Sequence, residues 1–250
     1  MDPFKRENVI SKLNDYDLNI KEQCINSFKI VKDKISKPNI DGYLYYKLEE
    51  NKVLSVDLFD DKKLLMRLNH KEFEATYETI KFASGKVGIV GLGLGYATNE
   101  IANKPNVDTV IVYEKSKEVI EMYKNNFGDN PKIKIINIDA FEAESDVFDF
   151  FFVDIYGYEL SEKIVDDYIK FHQIHTIYDY TFLGVEHFLL SCSYEEIIWV
   201  YIPELWMSMC KDISGALESS GYIEYYKPLD EKVVSKVLMK FKEVLNEGME

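Results

Sequence analysis

The sequence predicts an α/β fold built on a mostly parallel sheet with flanking helices, and three observations carry that prediction. Through the middle of the chain, strand-like and helix-like segments alternate without interruption: "KVGIVGLG", "YATNEIAN", "VDTVIVYE", "SKEVIEMYKNNF", "KIKIINID" and then "VFDFFFVDIY", the pattern of crossover-linked parallel strands. The strand segments are near-continuous apolar runs, Val87 to Val90, Val110 to Val112 and Phe150 to Val153, which suits strands covered on both faces. Gly91, Gly93 and Gly95 follow the first of these strands and open a helix, a turn that lets a ligand approach helix N-terminal amides with no Cβ in the way.

The elements before this core follow from local texture. Val9, Ile10, Leu13, Ile20, Ile25, Phe28, Ile30 and Val31 recur at three- and four-residue spacings, which predicts one or two amphipathic helices over Glu7 to Ile35, closed by "SKPN". Residues 1–40 are therefore expected to form an N-terminal helical segment. From Gly42 the chain turns aromatic and β-branched, "YLYYKLEENKVLSVDLFDDKKLLMRLN", with "EEN" and "DD" as turns. Two or three antiparallel strands, a small β element over 41–69, are expected there. "HKEFEATYETIKFA" then sets Phe73, Tyr77 and Ile80 on one helical face.

The core is assigned to 70–160. Beyond Tyr158 the texture is long and mainly helical, from "SEKIVDDYIKFHQIH" to "EKVVSKVLMKFKEVLNEG". Residues 161–250 are expected to complete the core and the acceptor side. "EEIIWVYIPE" and "GYIEYY" are the expected fifth and sixth strands.

Charge and composition remove several function classes. The formal net charge of -14 and a pI near 4.8 repel a phosphate backbone, and the lysines are interleaved with acids, so nucleic acid is not an expected partner. Cys24, Cys192 and Cys210 are far apart and outline neither a disulfide framework nor a zinc motif. The N-terminus lacks a signal-like apolar core, and no apolar run approaches the ~20 residues needed to span a bilayer. A soluble cytoplasmic protein is expected, off the membrane.

His172 and His175 in "HQIH" have a spacing that would ligate a metal with help from Asp166 or Glu186. They are read as packing residues and no metal is expected. "EEIIWVYIPELWMSMC" is read as core, with a substrate wall or a homodimer surface as its other uses.

Three acids close successive strands: Glu114 in "VIVYEKS", Asp139 in "IINIDAF" and Asp154 in "FFFVDIYG". In an open α/β sheet all three face the carboxyl edge, where such sheets bind ligands. A carboxylate at the end of the second strand can accept from both hydroxyls of a ribose. The strict dinucleotide fingerprint is absent, because Tyr96 stands where its last glycine belongs counting from Gly91.

From about Leu64 to Tyr158, roughly two fifths of the chain, the sequence resembles the class I S-adenosylmethionine-dependent methyltransferases, in particular the spermidine synthase-like subgroup. The carriers are "GIVGLGLG", "VYEKSKEVIEMYKNNF", "KIKIINIDAFE" and "VFDFFFVDIYG", with the "LMRLNHKEFEATYE" lead-in. The resemblance implies a Rossmann-like core with S-adenosylmethionine as cofactor. It places Gly91, Gly93 and Gly95 against the methionine and ribose, Glu114 on the ribose hydroxyls, and Asp139 and the Ala140 amide on the adenine edge. Asp154 is placed beside the sulfonium where donor meets acceptor, as a catalytic candidate that would orient an amine or take its proton.

The chain departs from the subgroup where it matters for chemistry. In spermidine synthases this strand ends in an acidic pair separated by two residues, and here "DIYG" has Gly157 where the second acid would stand. Tyr156 is the second catalytic candidate, as a cleft wall or cation-π face, with Tyr158 as its alternative. The expected function is methyl transfer to a small-molecule or protein acceptor. Aminopropyl transfer from the decarboxylated donor and a non-catalytic nucleoside-binding module are the alternatives. A second carboxylate from outside "DIYG", such as Glu159, Glu186 or Asp179, would favour aminopropyl transfer.

Overall fold

The computed structural model describes residues 2–35 and 53–246. Its centre is a five-stranded, wholly parallel sheet in the order β7-β6-β5-β8-β9. The strands are β5 (Gly85–Val90), β6 (Val107–Tyr113), β7 (Ile133–Ile136), β8 (Val147–Val153) and β9 (Thr176–Phe182). Helices α3 (Tyr96–Ala102), α4 (Lys117–Phe127) and α5 (Lys163–Ile174) make the crossovers. Travel runs one way from β5 to β7 and the other way through β8 and β9. Right-handed crossovers therefore set α3 and α4 on one face and α5 on the other. The order reverses between β5 and β8, and a crevice opens at the carboxyl ends of two such strands.

The expected parallel core is thus present, with the apolar runs at its middle. Phe150, Phe151, Phe152 and Val153 are buried on alternate faces of β8. Gly88 of β5 lies so close to β8 that a Cβ would come within 2.4 Å of the Phe151 ring. Aromatic packing continues outward, with Phe141 stacked on Phe171 at 4.7 Å.

Two expectations for the flanks are corrected. Only the first part of Glu7–Ile35 is helical, as α1 (Arg6–Asn19). It is followed by the hairpin of β1 (Gln23–Ile25) and β2 (Phe28–Ile35). The two-residue turn at Asn26 and Ser27 places Asn26 at φ 54°, a left-handed conformation asparagine tolerates. "FKIVKDKI" pairs along its length with β3 (Val53–Asp60), so a strand partner overrides the helical spacing. β4 (Lys63–Leu68) completes a four-stranded antiparallel sheet, and the "DD" turn falls where expected, with Asp61 at φ 50°. "YLYY" and "EEN" lie outside the described residues.

The second correction concerns the C-terminal part. The fifth strand is "TIYDYTF", β9, and the segments expected as strands are α7 (Tyr194–Val200) and a 3-10 turn at Tyr222–Tyr225. Ser193 and Glu196 form a reciprocal cap that starts α7, and Tyr201 ends it at φ 55°. The other helices are α2 (His70–Phe82), α6 (Val185–Ser191), α8 (Glu204–Ser220) and α9 (Glu231–Asn246).

The N-terminal unit is fastened to the core at the glycine turn. Tyr16 of α1 donates to Glu100 of α3 at 3.1 Å, and Lys12 reaches the same carboxylate at 3.1 Å. Gln23 donates to the Met122 carbonyl of α4 at 3.1 Å. At the other end, Trp206 of α8 is fully buried, its ring 4.9 Å from Phe241 of α9 and its indole N–H on the Tyr180 carbonyl at 2.7 Å. Among the described residues no helix is long and apolar enough to cross a membrane.

Trp206→Ala leaves a cavity and an unpaired carbonyl on β9, and is expected to cost about 3–5 kcal/mol. Urea unfolding followed by circular dichroism measures it. A loss under about 1 kcal/mol would mean that α8 does not share the core of the sheet.

Candidate active site

The turn after β5 is shaped by contacts that exclude side chains. Gly91, Gly93 and Gly95 have φ of 94°, 51° and 80°, values that cost other residues strain. A Cβ on Gly91 would lie 2.5 Å from the Asp154 carbonyl oxygen. One on Gly93 would lie 2.4 Å from the Met66 sulfur, and one on Gly95 2.5 Å from the Tyr123 ring. The turn is therefore the meeting point of β8, β4 and α4. The Leu94 amide also contacts the Met66 sulfur at 3.0 Å. Tyr96 is turned away from this edge, packed at 4.5 Å against Phe73 and 5.2 Å against Tyr16. It does not narrow the crevice.

Glu114 leaves β6 and faces the turn. One carboxylate oxygen accepts from the Leu92 amide at 3.0 Å and the other from the Ser116 amide at 2.8 Å. Each oxygen keeps a further lone pair for an outside donor. Asp139, past the end of β7, accepts from the Phe141 amide at 3.0 Å and caps the 3-10 turn Ala140–Glu142. Its side chain is exposed and Ala140 is buried beside it.

Asp154 follows β8, its amide on the Val90 carbonyl at 2.8 Å, so it flanks Gly91. Burial, and then the charge of Glu114, push its carboxyl up to about 7. The residue missing from the sequence expectation is Glu72, which α2 brings to the same point. Its side chain is 1% exposed. The Tyr158 hydroxyl donates to its Oε2, while Oε1 has no hydrogen-bond partner among the described residues. Burial first and the Asp154 charge second hold Glu72 well above the usual carboxylate range, against the Tyr158 hydrogen bond that lowers it. The charge of Glu114 thus acts on Asp154, and that of Asp154 on Glu72.

Other candidates lie elsewhere. The Tyr156 hydroxyl sits beside Tyr180 and the buried Asp167, with its acidity suppressed by burial and then by Asp167. Lys163, paired with Asp167, lies over the Tyr156 ring at 5.6 Å. Tyr158, not Tyr156, is the tyrosine that touches the acid pair. His172 packs on Tyr168 at 4.0 Å and His175 stacks on Tyr113 at 5.7 Å. Burial depresses the pKa of both. Among the described residues no three His, Cys, Asp or Glu side chains are grouped to hold a metal ion.

No family model and no curated protein matches the chain. Solved structures share its outline at low identity. The spermidine synthase of Thermotoga maritima aligns at 18% identity and a TM-score of 0.39, over 63% of this chain and 53% of its own. The 23S rRNA methyltransferase ErmE aligns at 23% and 0.33 over 41% of this chain and 42% of its own. The complex of DhpI with SAH aligns at 16% and 0.34 over 41% of this chain and 50% of its own. The match spans about half the length of these proteins. At such scores the likeness decides nothing about chemistry, which rests on the residues of the crevice.

The raised carboxylates tie stability to pH. An unfolded Asp titrates near ~4, so between about pH 4 and 7 the folded chain holds a proton on Asp154 that the unfolded chain releases. Stability from this group is therefore lost as pH rises through neutral. Asp154→Asn removes the penalty. The variant is expected to exceed wild type in urea midpoint at pH 8, with the gap shrinking toward pH 4. An equal gap at both pH values would refute the raised carboxyl.

Proposed function

We propose that the chain is an S-adenosylmethionine-dependent transferase, acting as a methyltransferase on a small-molecule or protein acceptor. The observation that carries this reading is the convergence on the side-chain-free turn at Gly91, Gly93 and Gly95 of two strand-end acids, Glu114 bonded to the Leu92 amide and Asp154 flanking Gly91. The donor fits what is there. The three glycines hold positive φ values and pack directly on protein atoms where a Cβ would collide, which lets the turn follow β5 closely between the two acids.

Glu114 would hold the ribose hydroxyls with the lone pairs not spent on Leu92 and Ser116. Asp139 and the Ala140 amide would take the adenine edge, and Asp154 would face the positive centre. When bound, the donor supplies an electrophilic carbon on a sulfonium. The remaining work for this chain is to align an acceptor with that carbon, exclude water and accept a proton. Asp154 has the titration range of a general base near neutral pH. A rise of activity through neutral pH, absent from Asp154→Asn, is the expected signature.

Aminopropyl transfer is the second reading, and Glu72 favours it by supplying from α2 a carboxylate that "DIYG" lacks at Gly157. Calorimetric titration with S-adenosylmethionine, S-adenosylhomocysteine, decarboxylated S-adenosylmethionine and NAD separates the readings. Micromolar binding of the first two is expected, weakened about tenfold or more in Glu114→Gln, since a hydrogen bond to a charged group contributes about 1.5–3 kcal/mol. Preference for the decarboxylated compound selects aminopropyl transfer. Binding of none would sink both.

A further inference from the structure

Only Ile197 and Val200 of α7 are buried. Its other apolar side chains turn outward. Tyr194, Ile198 and Tyr201, spaced four and three residues apart, make one exposed stripe with Trp199 beside it. Neither Tyr194 nor Tyr201 has a side-chain hydrogen bond or a ring contact with the described residues. Tyr201 ends α7 at φ 55°, the left-handed conformation that Gly221 takes at the end of α8 with φ 75°. A bulky residue is strained there, and no ring contact among the described residues offsets that strain.

The stripe continues onto the sheet. Tyr201 leads through Pro203 into α8, whose first turn is tied to β9 by the Trp206 indole N–H on the Tyr180 carbonyl at 2.7 Å. That bond brings Glu204, two residues before Trp206, to the first half of β9, where Tyr178 is 72% exposed. Burial, and then the charge of Glu204, raise the carboxyl of Asp179 in the same strand. Glu195 lies three and four residues before Ile198 and Trp199, on their face of α7. Among the described residues, Glu195, Glu204 and Asp179 have no ion pair. The lysines of α9 do not supply one: Lys236 is paired with Glu162, Lys240 with Asp166, and Lys242 sits over the Trp199 ring, 2.9 Å from its centre. The Trp199 ring thus already serves as a platform for a cation.

Contiguous exposed aromatic rings mark an interaction surface, and the charges among them select its occupant. A second copy of the chain would set acid against acid across a two-fold axis, and an anionic lipid surface would meet the same repulsion. A chain with long apolar stems and cationic ends meets both the rings and the carboxylates. We propose that the corner made by α7, the start of α8 and the first half of β9 docks a basic, arginine- and lysine-bearing segment of another protein. Between Tyr194 and Tyr201 the stripe runs roughly 10 Å, long enough for more than one side chain of an extended segment. Guanidinium planes stack on the tyrosine and tryptophan rings while their charge meets Glu195 and Glu204. Tyr178 and Asp179 belong to the amino half of β9, away from the carboxyl edge that carries the glycine turn. The surface is therefore separate from the crevice, and the proposal does not rest on the transferase reading.

The test uses the full chain and a labelled octa-arginine peptide read by anisotropy, with octa-glutamine and octa-glutamate peptides as controls. Wild type is expected to bind octa-arginine and neither control. Trp206 is fully buried and Trp199 is exposed, so unlabelled peptide is expected to change the tryptophan emission of wild type and not that of Trp199→Phe. Glu195→Gln combined with Glu204→Gln is expected to raise the peptide Kd about fivefold. Asp108→Asn combined with Glu121→Gln removes two exposed acids from β6 and α4 and is expected to change it less than about twofold. Tyr201→Gly removes a ring and relieves the strain. Its Kd is expected to rise about two- to fivefold while its urea midpoint holds or rises.

Equal binding of either control peptide, an unchanged Kd in Tyr201→Gly, or an equal loss in the two acid pairs overturns the proposal. So does an emission change that survives in Trp199→Phe. Sedimentation velocity and vesicles of phosphatidylserine and phosphatidylcholine in equal parts test the other occupants. Dimerisation or vesicle binding that is lost in Tyr201→Gly assigns the face to a second copy or to lipid and overturns the proposal as well. These titrations contain no S-adenosyl compound, so their failure leaves the transferase reading standing.

Discussion

The structure hangs on one steric constraint, the absence of side chains at the turn after β5. Three neighbours converge there: the main chain of Asp154, the sulfur of Met66 and the ring of Tyr123. Each would collide with a Cβ, and each belongs to a different part of the molecule. β8 supplies the acid, β4 belongs to the antiparallel sheet, and α4 carries the helix that follows Glu114. Close packing tolerates little displacement at such contacts. The small sheet is therefore indexed to the crevice by Met66, and α1 is indexed to it through Glu100 of α3. An alanine at any of the three glycines would shift at least one neighbour and meet strain at positive φ.

Given that turn, the placement of the acids follows from topology. In a parallel sheet every strand delivers its last residue to the same edge, so Glu114 and Asp154 meet the turn without further design. What topology does not decide is how they are stabilised. Glu114 is held by two backbone amides. Burial, and then the charge of Glu114, raise the Asp154 carboxyl.

Legibility in the sequence divided along the range of the interactions involved. The βα units around Gly91 and the succession of strand-end acids were readable because each depends on residues close in sequence: an apolar run, a glycine turn, an amphipathic helix. The β1–β2 hairpin was not, because Ile25, Phe28, Ile30 and Val31 satisfy a helical spacing as well as a strand, and only pairing of β2 with β3 decides between them. β9 was masked for a related reason. "TIYDYTF" alternates and is flanked by helical texture, whereas "EEIIWVYIPE" has the continuous apolar run of a buried strand but carries a helix cap at Ser193. Glu72 escaped because "HKEFEATYE" reads as one apolar stripe with the acids left to solvent. In the fold Glu72, Glu74 and Glu78 are all buried, because α2 is covered from more than one side.

That covering explains how a helix carrying buried acids stays in place. At one turn of α2 the Ala75 carbonyl accepts from the Gly184 amide at 3.3 Å, while the Glu78 and Thr79 amides donate to Glu186 Oε1 at 3.0 and 3.2 Å. Donors and acceptors of α2 are thus shared with the start of α6. Glu186, one of the acids the sequence offered as a second carboxylate, serves instead as the clamp on the helix that carries Glu72. Burial raises its carboxyl well above the usual range, and the backbone amides oppose that rise. The helical C-terminal part therefore acts on the crevice through α2: α6 follows β9 directly, grips α2 at its middle, and so fixes the first turn where Glu72 faces Asp154.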